Sequence, residues 1–319
     1  MEKATLCNTD AEVCEYRAAY LVNLSLNCLT IALNIIHIIL MSKLANSKKT
    51  TYFWILINMS LTDIMVSATY GVLVSCVVNR AVYKLPRSSA EYFLRTRAAM
   101  TLAITAIRNF VLAIASYERY VKICTPLEVE NNKLLNHLGW SMAVIWVVCY
   151  GLTIPAYVTD IEDICFGNFT LSGKLGLQNI FVSMLLLTVP AVITFTCLFK
   201  VWRELKRIIE RDAAKDGSLE AQIAGRYVLL VCLLFYFSYA PQILATILNY
   251  FRYISLDTVK VLNWVSVLSQ SVYGTLNIII YVSMTKGYRV HVLTIVSKTL
   301  RCRNILHTSE STVTPSPDM

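Results

Sequence analysis

Seven apolar stretches, each long enough to cross a lipid bilayer as a helix, constrain the fold of this chain more than any other feature. A transmembrane helix needs about 20 consecutive, mostly apolar residues. By that measure the spans fall at residues 18–42, 52–78, 91–123, 137–158, 178–204, 223–250 and 259–284. Charged or proline-containing segments separate them. We therefore predict an all-α membrane protein folded as a seven-transmembrane helix bundle.

The composition agrees with a membrane location and argues against other classes of protein. Apolar residues make up 56% of the 319 residues and charged residues only 15%, whereas about a quarter of a soluble domain is charged. The net charge of +9 comes from basic residues between the spans, as expected for loops that face an anionic cytoplasmic leaflet. We therefore predict contact with the lipid bilayer and no nucleic-acid binding. No nucleophile–base set or metal-ligand cluster is evident, so no enzyme activity, cofactor or metal site is predicted.

The segments that flank the spans complete the predicted domain organisation. Residues 1–17 are charged and lack an apolar core, so we expect an extracellular N-terminus without a cleavable signal peptide. Residues 18–284 form the bundle. Residues 285–303 mix basic and apolar side chains, which predicts a short amphipathic eighth helix on the inner membrane surface. Residues 304–319 are rich in Ser, Thr and Pro, which predicts a disordered, phosphorylatable cytoplasmic tail.

Lys and Arg near the span ends set the predicted orientation. The loops after the first, third, fifth and seventh spans are richer in these residues, which places the N-terminus outside a multi-pass plasma-membrane protein. Asn168 begins an Asn-x-Thr glycosylation acceptor, and this orientation puts it outside as well. Cys302, beside the predicted eighth helix, is either a palmitoylation site or an ordinary thiol.

Two charged residues lie deep within the spans. Asp63 is the only carboxylate well inside any span, and Arg108 lies in the third. An isolated Arg in hydrocarbon is costly, so we predict an Asp63–Arg108 ion pair inside the bundle. The ion pair has either a regulatory role or only a structural role in helix packing. Arg119 lies about three helical turns after Arg108 and therefore points to nearly the same side.

The third span ends in Glu118-Arg119-Tyr120, within the run YERYVKICTPL at residues 117–127. An ionised pair is costly in lipid, so the triplet is expected at a membrane face. It resembles the Glu/Asp-Arg-Tyr signature of rhodopsin-like G protein-coupled receptors. The wider run is most similar to vertebrate odorant receptors and some peptide receptors.

Further residues that match the family fall in the same order along the chain. They are Asn34, the segment 58–63, Trp146, Pro155, Pro190, Phe235, Pro241, Asn277 and Tyr281. Three positions in the fifth, sixth and seventh spans depart from the family pattern: Tyr239 replaces a Trp, Ile278 replaces a Pro, and Leu198 replaces a Tyr. The family binds sodium at the residue matching Asp63, and Arg108 stands where that site usually has a Ser. The resemblance thus implies that a guanidinium occupies the place of the cation.

The resemblance leaves the extracellular disulfide open. Leu94 stands where the family has the third-helix Cys that bonds to the long extracellular loop. Cys165 in that loop is then either free or paired with Cys7, Cys14 or Cys76, among which we favour Cys14.

By the resemblance, a ligand binds between the outer halves of the third, fifth, sixth and seventh helices. The implied pocket residues are Arg97, Thr101, Leu102, Thr105, Ser183, Tyr239, Gln242, Thr246, Asn263, Val267 and Ser271. Thr101 replaces the Asp of amine receptors and Ser271 replaces the retinal Lys of opsins, which argues against both classes. Apolar walls with hydroxyls and amides suit a small, odorant-like molecule, whereas Arg95 and Arg97 equally suit an acid or a peptide terminus.

The resemblance implies a receptor that activates a heterotrimeric G protein, with arrestin as a candidate partner of the phosphorylated tail. Glu118 would hold Arg119 at rest, with Glu220 as a second candidate partner. The implied switch and coupling residues are Glu118, Arg119, Tyr120, Pro126, Leu127, Lys200, Arg203, Asn277 and Tyr281. Two alternatives remain. A transporter or channel would show repeated halves and matched broken helices, and a non-signalling seven-helix scaffold would fit the altered positions Tyr239, Ile278 and Leu198.

Overall fold

The computed structural model describes residues 17–44, 51–69, 86–153, 161–165, 168–171, 173–211, 216–250, 256–284, 288–290, 292–294 and 297. Over these residues the chain forms seven long helices: α1 (Arg17–Leu44), α2 (Thr51–Ser67), α3 (Arg87–Cys124), α4 (Leu138–Thr153), α5 (Gly173–Arg211), α6 (Asp216–Tyr250) and α7 (Leu256–Met284). A 3-10 turn at Pro126–Glu128 and a single helical turn at Lys133–Asn136 connect α3 to α4.

Several helices are longer than the spans predicted from apolar content. The largest difference is at α5, which runs from Gly173 to Arg211 where the sequence predicts 178–204. The hydrocarbon core is about 30 Å thick, whereas a helix of 39 residues is about 58 Å long. Apolar content marks only the part within lipid, and the helical backbone continues beyond it. Residues 70–78 and 154–158 of the second and fourth predicted spans lie outside the described residues.

Among the described residues, four helical segments are long and apolar enough to cross a membrane: Leu21–Lys43, Arg95–Cys124, Met184–Ile208 and Trp264–Met284. Three further segments are apolar but shorter: Phe53–Ser67, Leu138–Thr153 and Gly225–Pro241. Each segment lies within one of the seven predicted spans, allowing for a few residues at the ends of α1, α3 and α5.

Polar side chains lie inside the bundle beside an apolar core, and large apolar side chains lie on its exterior. Asn27, Asn34 and Asp63 are buried, whereas Trp140 and Phe237 are largely exposed. In a soluble protein, polar side chains of this kind lie mostly at the surface. Buried amides and a buried carboxylate, together with exposed aromatic rings, fit a helical bundle surrounded by hydrocarbon, where polar groups must find partners inside.

α3 is the central helix. It packs against α2, α4, α5 and α6, while α1 packs against α2 and α7. Between α4 and α5, the strands β1 (Ile161–Cys165) and β2 (Asn168–Leu171) form an antiparallel hairpin in which Cys165 pairs with Asn168. Only a loop is predicted there from the sequence, because four or five residues of mixed polarity show too little periodicity to identify a strand.

A glycine allows α1 and α7 to approach closely. A Cβ atom added at Gly274 would lie 2.7 Å from Cγ2 of Thr30. Thr30 is held in place, because its hydroxyl bonds with the Thr275 hydroxyl at 2.7 Å and donates to the Leu26 carbonyl at 2.9 Å. The absence of a side chain at position 274 therefore determines how closely these helices pack.

Gly274→Ala is expected to lower the free energy of unfolding by about 1–3 kcal/mol, since the new methyl group overlaps Thr30. The measurement is the thermal denaturation midpoint of the purified protein in detergent. Gly151→Ala is the matched control, because a Cβ atom at that helical position meets nothing within 4 Å. Equal midpoints for the two variants would contradict the proposed close contact.

Candidate functional site

The structure brings Asp63 and Arg108 together at the centre of the bundle. Both side chains are buried, and Nη2 of Arg108 donates a hydrogen bond to Oδ1 of Asp63. The other carboxylate oxygen, Oδ2, accepts a hydrogen bond of 3.0 Å from Nδ2 of Asn277. Asp63 on α2 therefore joins α3 to α7, and its buried negative charge is compensated by a buried guanidinium.

Two aromatic rings hold the Arg108 guanidinium from the other side. Its Cζ atom lies 4.2 Å from the centroid of Tyr273 and 5.8 Å from that of Phe235. An aromatic face attracts a cation, and the attraction is stronger where water is excluded. The guanidinium thus occupies a site built by α2, α6 and α7, which accounts for an arginine in the middle of a membrane-spanning helix.

The polar network continues from Asn277 to α6. The hydroxyl of Tyr227 donates to Oδ1 of Asn277 at 2.9 Å, and the Tyr227 side chain is buried. A continuous series of contacts therefore runs from Arg108 through Asp63 and Asn277 to Tyr227. Tyr227 is not among the residues predicted from the sequence, although a Tyr in the inner half of an apolar span has a hydroxyl that needs a partner.

Aromatic residues attach the segment after α7 to the bundle. Nδ1 of His37 on α1 shares a hydrogen bond of 2.8 Å with the hydroxyl of Tyr288, which lies in a helical stretch at 288–290. The Tyr281 ring lies 5.2 Å from His37 and 5.0 Å from Tyr288 between centroids. Burial raises the pKa of the Tyr288 phenol, so the hydroxyl keeps its proton. These contacts place the start of the eighth helix against α1 and α7.

The Glu118-Arg119 pair lies at the inner end of α3. Glu118 is fully buried, and its Oε2 atom lies 2.7 Å from Nε of Arg119. Its other oxygen, Oε1, lies 2.7 Å from Nζ of Lys122. Two cations therefore share the Glu118 carboxylate. The contact with Arg119 is predicted from the sequence, and the contact with Lys122 is not. The side chain of Glu220 lies outside the described residues.

The surface around this pair carries basic and apolar side chains. Nζ of Lys200 lies 5.1 Å from the centroid of Tyr120, and Cζ of Arg203 lies 5.9 Å from that of Phe199. Pro126 and Leu127 occupy the 3-10 turn after α3, where the Leu127 side chain is 93% exposed. The Leu127 side chain is therefore open to contact with another molecule.

The loop that presents Leu127 is held by Asn132. Its Nδ2 donates to the Tyr117 hydroxyl at 2.9 Å, and its Oδ1 accepts from the Leu135 backbone N–H at 3.2 Å. The second bond caps the helical turn Lys133–Asn136. The loop is therefore tied to α3 within one turn of Arg119.

Pro190 interrupts the hydrogen bonds of α5, and Asn109 on α3 compensates. Proline has no N–H, so the carbonyl of Leu186, four residues earlier, loses its helical donor. Nδ2 of Asn109 donates to this carbonyl at 3.3 Å and to that of Leu187 at 2.8 Å. Oδ1 of Asn109 accepts from the Tyr236 hydroxyl at 2.7 Å. One amide thus joins α3, α5 and α6. Pro190 is predicted from the sequence, but Asn109 is not. The signal for Asn109 is its place beside Arg108 in an apolar span, where an amide needs a partner.

The predicted ligand residues are described in part. Arg97, Thr105 and Tyr239 are buried, and the hydroxyls of the last two lie 3.5 Å apart. Thr101, Leu102 and Val267 are half-buried. The side chains of Ser183, Gln242, Thr246 and Asn263 lie outside the described residues, as do those of Cys14, Cys165, Asn168 and Cys302.

Ser271 differs from its predicted place in the ligand pocket. Its hydroxyl donates to Oδ1 of Asn23 at 2.9 Å and accepts from Nδ2 of Asn27 at 2.8 Å. Both partners lie on α1. A buried hydroxyl in a bundle pairs with the nearest amide, so Ser271 serves the contact between α1 and α7.

Comparison with known proteins identifies one family along most of the chain. Residues 32–285 match the model described as 7 transmembrane receptor (rhodopsin family). Among curated proteins, the chain is 27% identical to pineal opsin of Petromyzon marinus over 205 residues, covering 59% of this chain and 43% of that protein. It is 23% identical to human olfactory receptor 10AG1 over 212 residues, covering 62% of this chain and 69% of that protein.

Among solved structures, the chain matches the crystal structure of squid rhodopsin with a TM-score of 0.72. The match covers 99% of this chain and 98% of that one at 15% identity, so it establishes the fold alone. The predicted seven-helix membrane fold is confirmed.

Proposed function

Because the chain belongs to the rhodopsin family of seven-transmembrane receptors, we propose that it binds a ligand in the outer half of its bundle and activates a heterotrimeric G protein. Members of this family are receptors rather than enzymes, and the protein is a multi-pass membrane protein. The observation that carries the proposal is the buried Glu118–Arg119 pair at the inner end of α3. A charge held this way at a membrane face can be released when the helices move.

The proposed mechanism couples two ends of one conformational change. Ligand favours a state in which the inner end of α6 moves outward, and a G protein binds the same state from inside, so each strengthens the other. At rest, the Tyr227–Asn277 hydrogen bond holds α6 against α7. In the moved state Arg119 leaves Glu118 and contacts the G protein, together with Pro126, Leu127, Lys200 and Arg203. Arrestin is a proposed partner of the phosphorylated tail.

The proposed ligand is a small, odorant-like molecule. The Thr105 and Tyr239 hydroxyls supply polar groups, and Leu102 and Val267 supply apolar contact. The likeness to a human olfactory receptor supports this class. Buried Arg97 favours an acidic ligand as the second candidate. A retinal pigment is not proposed, because Ser271 offers no amine for a Schiff base and its hydroxyl bonds α1.

The proposed orientation places the N-terminus and the Asn168 acceptor outside the plasma membrane, and Cys302 inside as a palmitoylation site. A glycan on Asn168 together with protection of Leu127 from an external protease would support it. Cleavage at that exposed turn by a protease added to sealed cells would show that the turn lies outside. The orientation would then be the opposite of the proposed one, and Arg119 could not contact a G protein.

Nucleotide exchange on a G protein tests the function. The purified protein is reconstituted in vesicles with a heterotrimeric G protein and tested against odorant, acid, lipid and peptide panels. We expect at least one class of ligand to accelerate exchange. Ligand binding without exchange would instead identify a non-signalling scaffold, and solute flux without exchange a transporter.

Tyr227→Phe is expected to raise ligand-independent exchange about fivefold to tenfold. The change removes one buried hydrogen bond, worth about 1–1.5 kcal/mol, that exists only while α6 lies against α7. The ring stays, so its packing against Tyr281 at 5.4 Å between centroids is kept. The measurement is exchange without ligand at equal receptor density. Tyr117→Phe is the control, since its hydroxyl serves the loop at Asn132. Unchanged basal exchange in Tyr227→Phe would refute the role of this bond.

A further inference from the structure

A groove of about 320 Å³ lies between α5 and α6 on the outer surface of the bundle. Its walls are mainly apolar, formed by Leu198, Val201, Leu205 and Leu229 with the side chain of Trp202. The first three are buried and Trp202 is half exposed. An indole that is part buried and part exposed is typical of the boundary between hydrocarbon and lipid headgroups.

The groove lies at the level of the inner end of α3. A Cβ atom added to Gly225, which lines the groove, would lie 2.9 Å from Leu205 and 3.6 Å from Ile123. Ile123 is one turn beyond Arg119. The missing side chain at position 225 brings α6 close to α5 at this level.

Two cations, Lys206 and Arg226, complete the lining of the groove. Both are exposed, and neither has a carboxylate partner among the described residues. Their neighbours on α5 are engaged elsewhere: Lys200 lies over Tyr120, and Arg203 lies over Phe199. Arg207 also has a partner, since its Nη1 lies 3.2 Å from Oε2 of Glu204. Among the described cations of α5 and α6, those without a carboxylate or aromatic contact are thus the two that line the groove.

We propose that this groove binds an anionic phospholipid of the cytoplasmic leaflet. An acyl chain would lie along Leu198, Val201 and Leu229, and the headgroup phosphate would contact Lys206 and Arg226. The charge pattern favours this occupant, because an apolar helix from a partner protein would leave both cations unpaired, whereas one phospholipid supplies an apolar chain and an anion. The proposal rests on the proposed orientation, which puts this end of α5 at the cytoplasmic leaflet. It does not require G protein coupling.

Native mass spectrometry of the purified full-length protein in detergent tests the site. The protein is titrated with phosphatidylserine, with phosphatidylcholine of the same acyl chains, and with phosphatidylserine in the presence of excess inorganic phosphate. The test variant is Lys206→Gln/Arg226→Gln. The matched control is Lys43→Gln/Arg207→Gln, which removes two exposed cations from the same end of the bundle but outside the groove. All four residues are exposed, so both variants are expected to fold.

The expected result is a preference for phosphatidylserine that weakens about thirtyfold in Lys206→Gln/Arg226→Gln. The control should change it by less than about twofold. Equal loss in the two variants would mean general charge attraction and overturn the site. Full competition by inorganic phosphate would mean an anion site without a lipid chain, which also overturns it. A dimer of the unmodified protein that carries no lipid, and that is absent in Lys206→Gln/Arg226→Gln, would overturn the lipid proposal. The occupant of the groove would then be a second copy of the chain.

Since lipid binding is read directly, its failure is separable from failure of the proposed function. A protein that exchanges nucleotide normally but shows no lipid preference refutes the groove alone. A protein that binds phosphatidylserine at the groove but never stimulates exchange refutes the receptor role alone.

Discussion

Arg108→Met should destabilise the bundle by about 3–5 kcal/mol, because it leaves the Asp63 carboxylate buried without a cation. Asp63 is 1% exposed, and its remaining donor, Asn277, is neutral. Methionine is of similar length and keeps most of the apolar packing near Tyr273. The loss therefore measures the uncompensated charge more than a cavity. The measurement is the thermal midpoint and the denaturant dependence of unfolding in detergent.

The double variant Asp63→Asn/Arg108→Met separates charge from packing. With both charges removed, the amide at position 63 can still accept from Asn277, and most of the lost stability is expected to return. A double variant as unstable as Arg108→Met would show that the guanidinium acts through packing against Tyr273 and Phe235.

The effect of sodium provides a second test of the Asp63–Arg108 ion pair. The family resemblance implies that the Arg108 guanidinium stands at the sodium position, so we expect no effect of sodium on ligand affinity or stability of the unmodified protein. In Arg108→Ser the carboxylate lacks its cation, and sodium is expected to stabilise the variant more than potassium does. Sodium-sensitive affinity in the unmodified protein would contradict the assignment of Arg108 to that position.

Arg119→Ala should leave ligand binding intact and reduce ligand-stimulated nucleotide exchange to background, a loss of about a hundredfold or more. The fold is expected to tolerate this change, because Lys122 stays 2.7 Å from the other oxygen of Glu118 and still compensates its charge. The measurements are equilibrium binding of an identified ligand and exchange at matched receptor density.

Lys122→Ala is the control for Arg119→Ala. It removes the other cation from the same carboxylate but leaves Arg119 in place, so exchange on addition of ligand is expected to persist. Both variants lose one positive charge within one helical turn. Equal loss of exchange in the two would show that only the local charge matters, and retained exchange in Arg119→Ala would refute its proposed role.

Much of the architecture follows from residue type and spacing. The thickness of hydrocarbon sets the length of an apolar run, so the seven spans could be located from the sequence. The third helix could be identified as carrying both Arg108 and Arg119, and the pairing of Arg108 with Asp63 follows because no other carboxylate lies deep in a span. The boundaries of α5 could not be predicted, since a helix in water has no apolar signal.

What the sequence by itself determined is which side chains need partners: an isolated charge or amide within hydrocarbon must be satisfied, and its position in the chain reveals that need. Only the tertiary structure decided which groups satisfy these buried charges and amides. Asn109 reaches the carbonyl freed by Pro190, and Tyr227 reaches Asn277, because the rotation and height of one helix against another bring these atoms within hydrogen-bond distance. Such contacts join residues as far apart as His37 and Tyr288, which are 251 positions apart, and no spacing along a single helix encodes them.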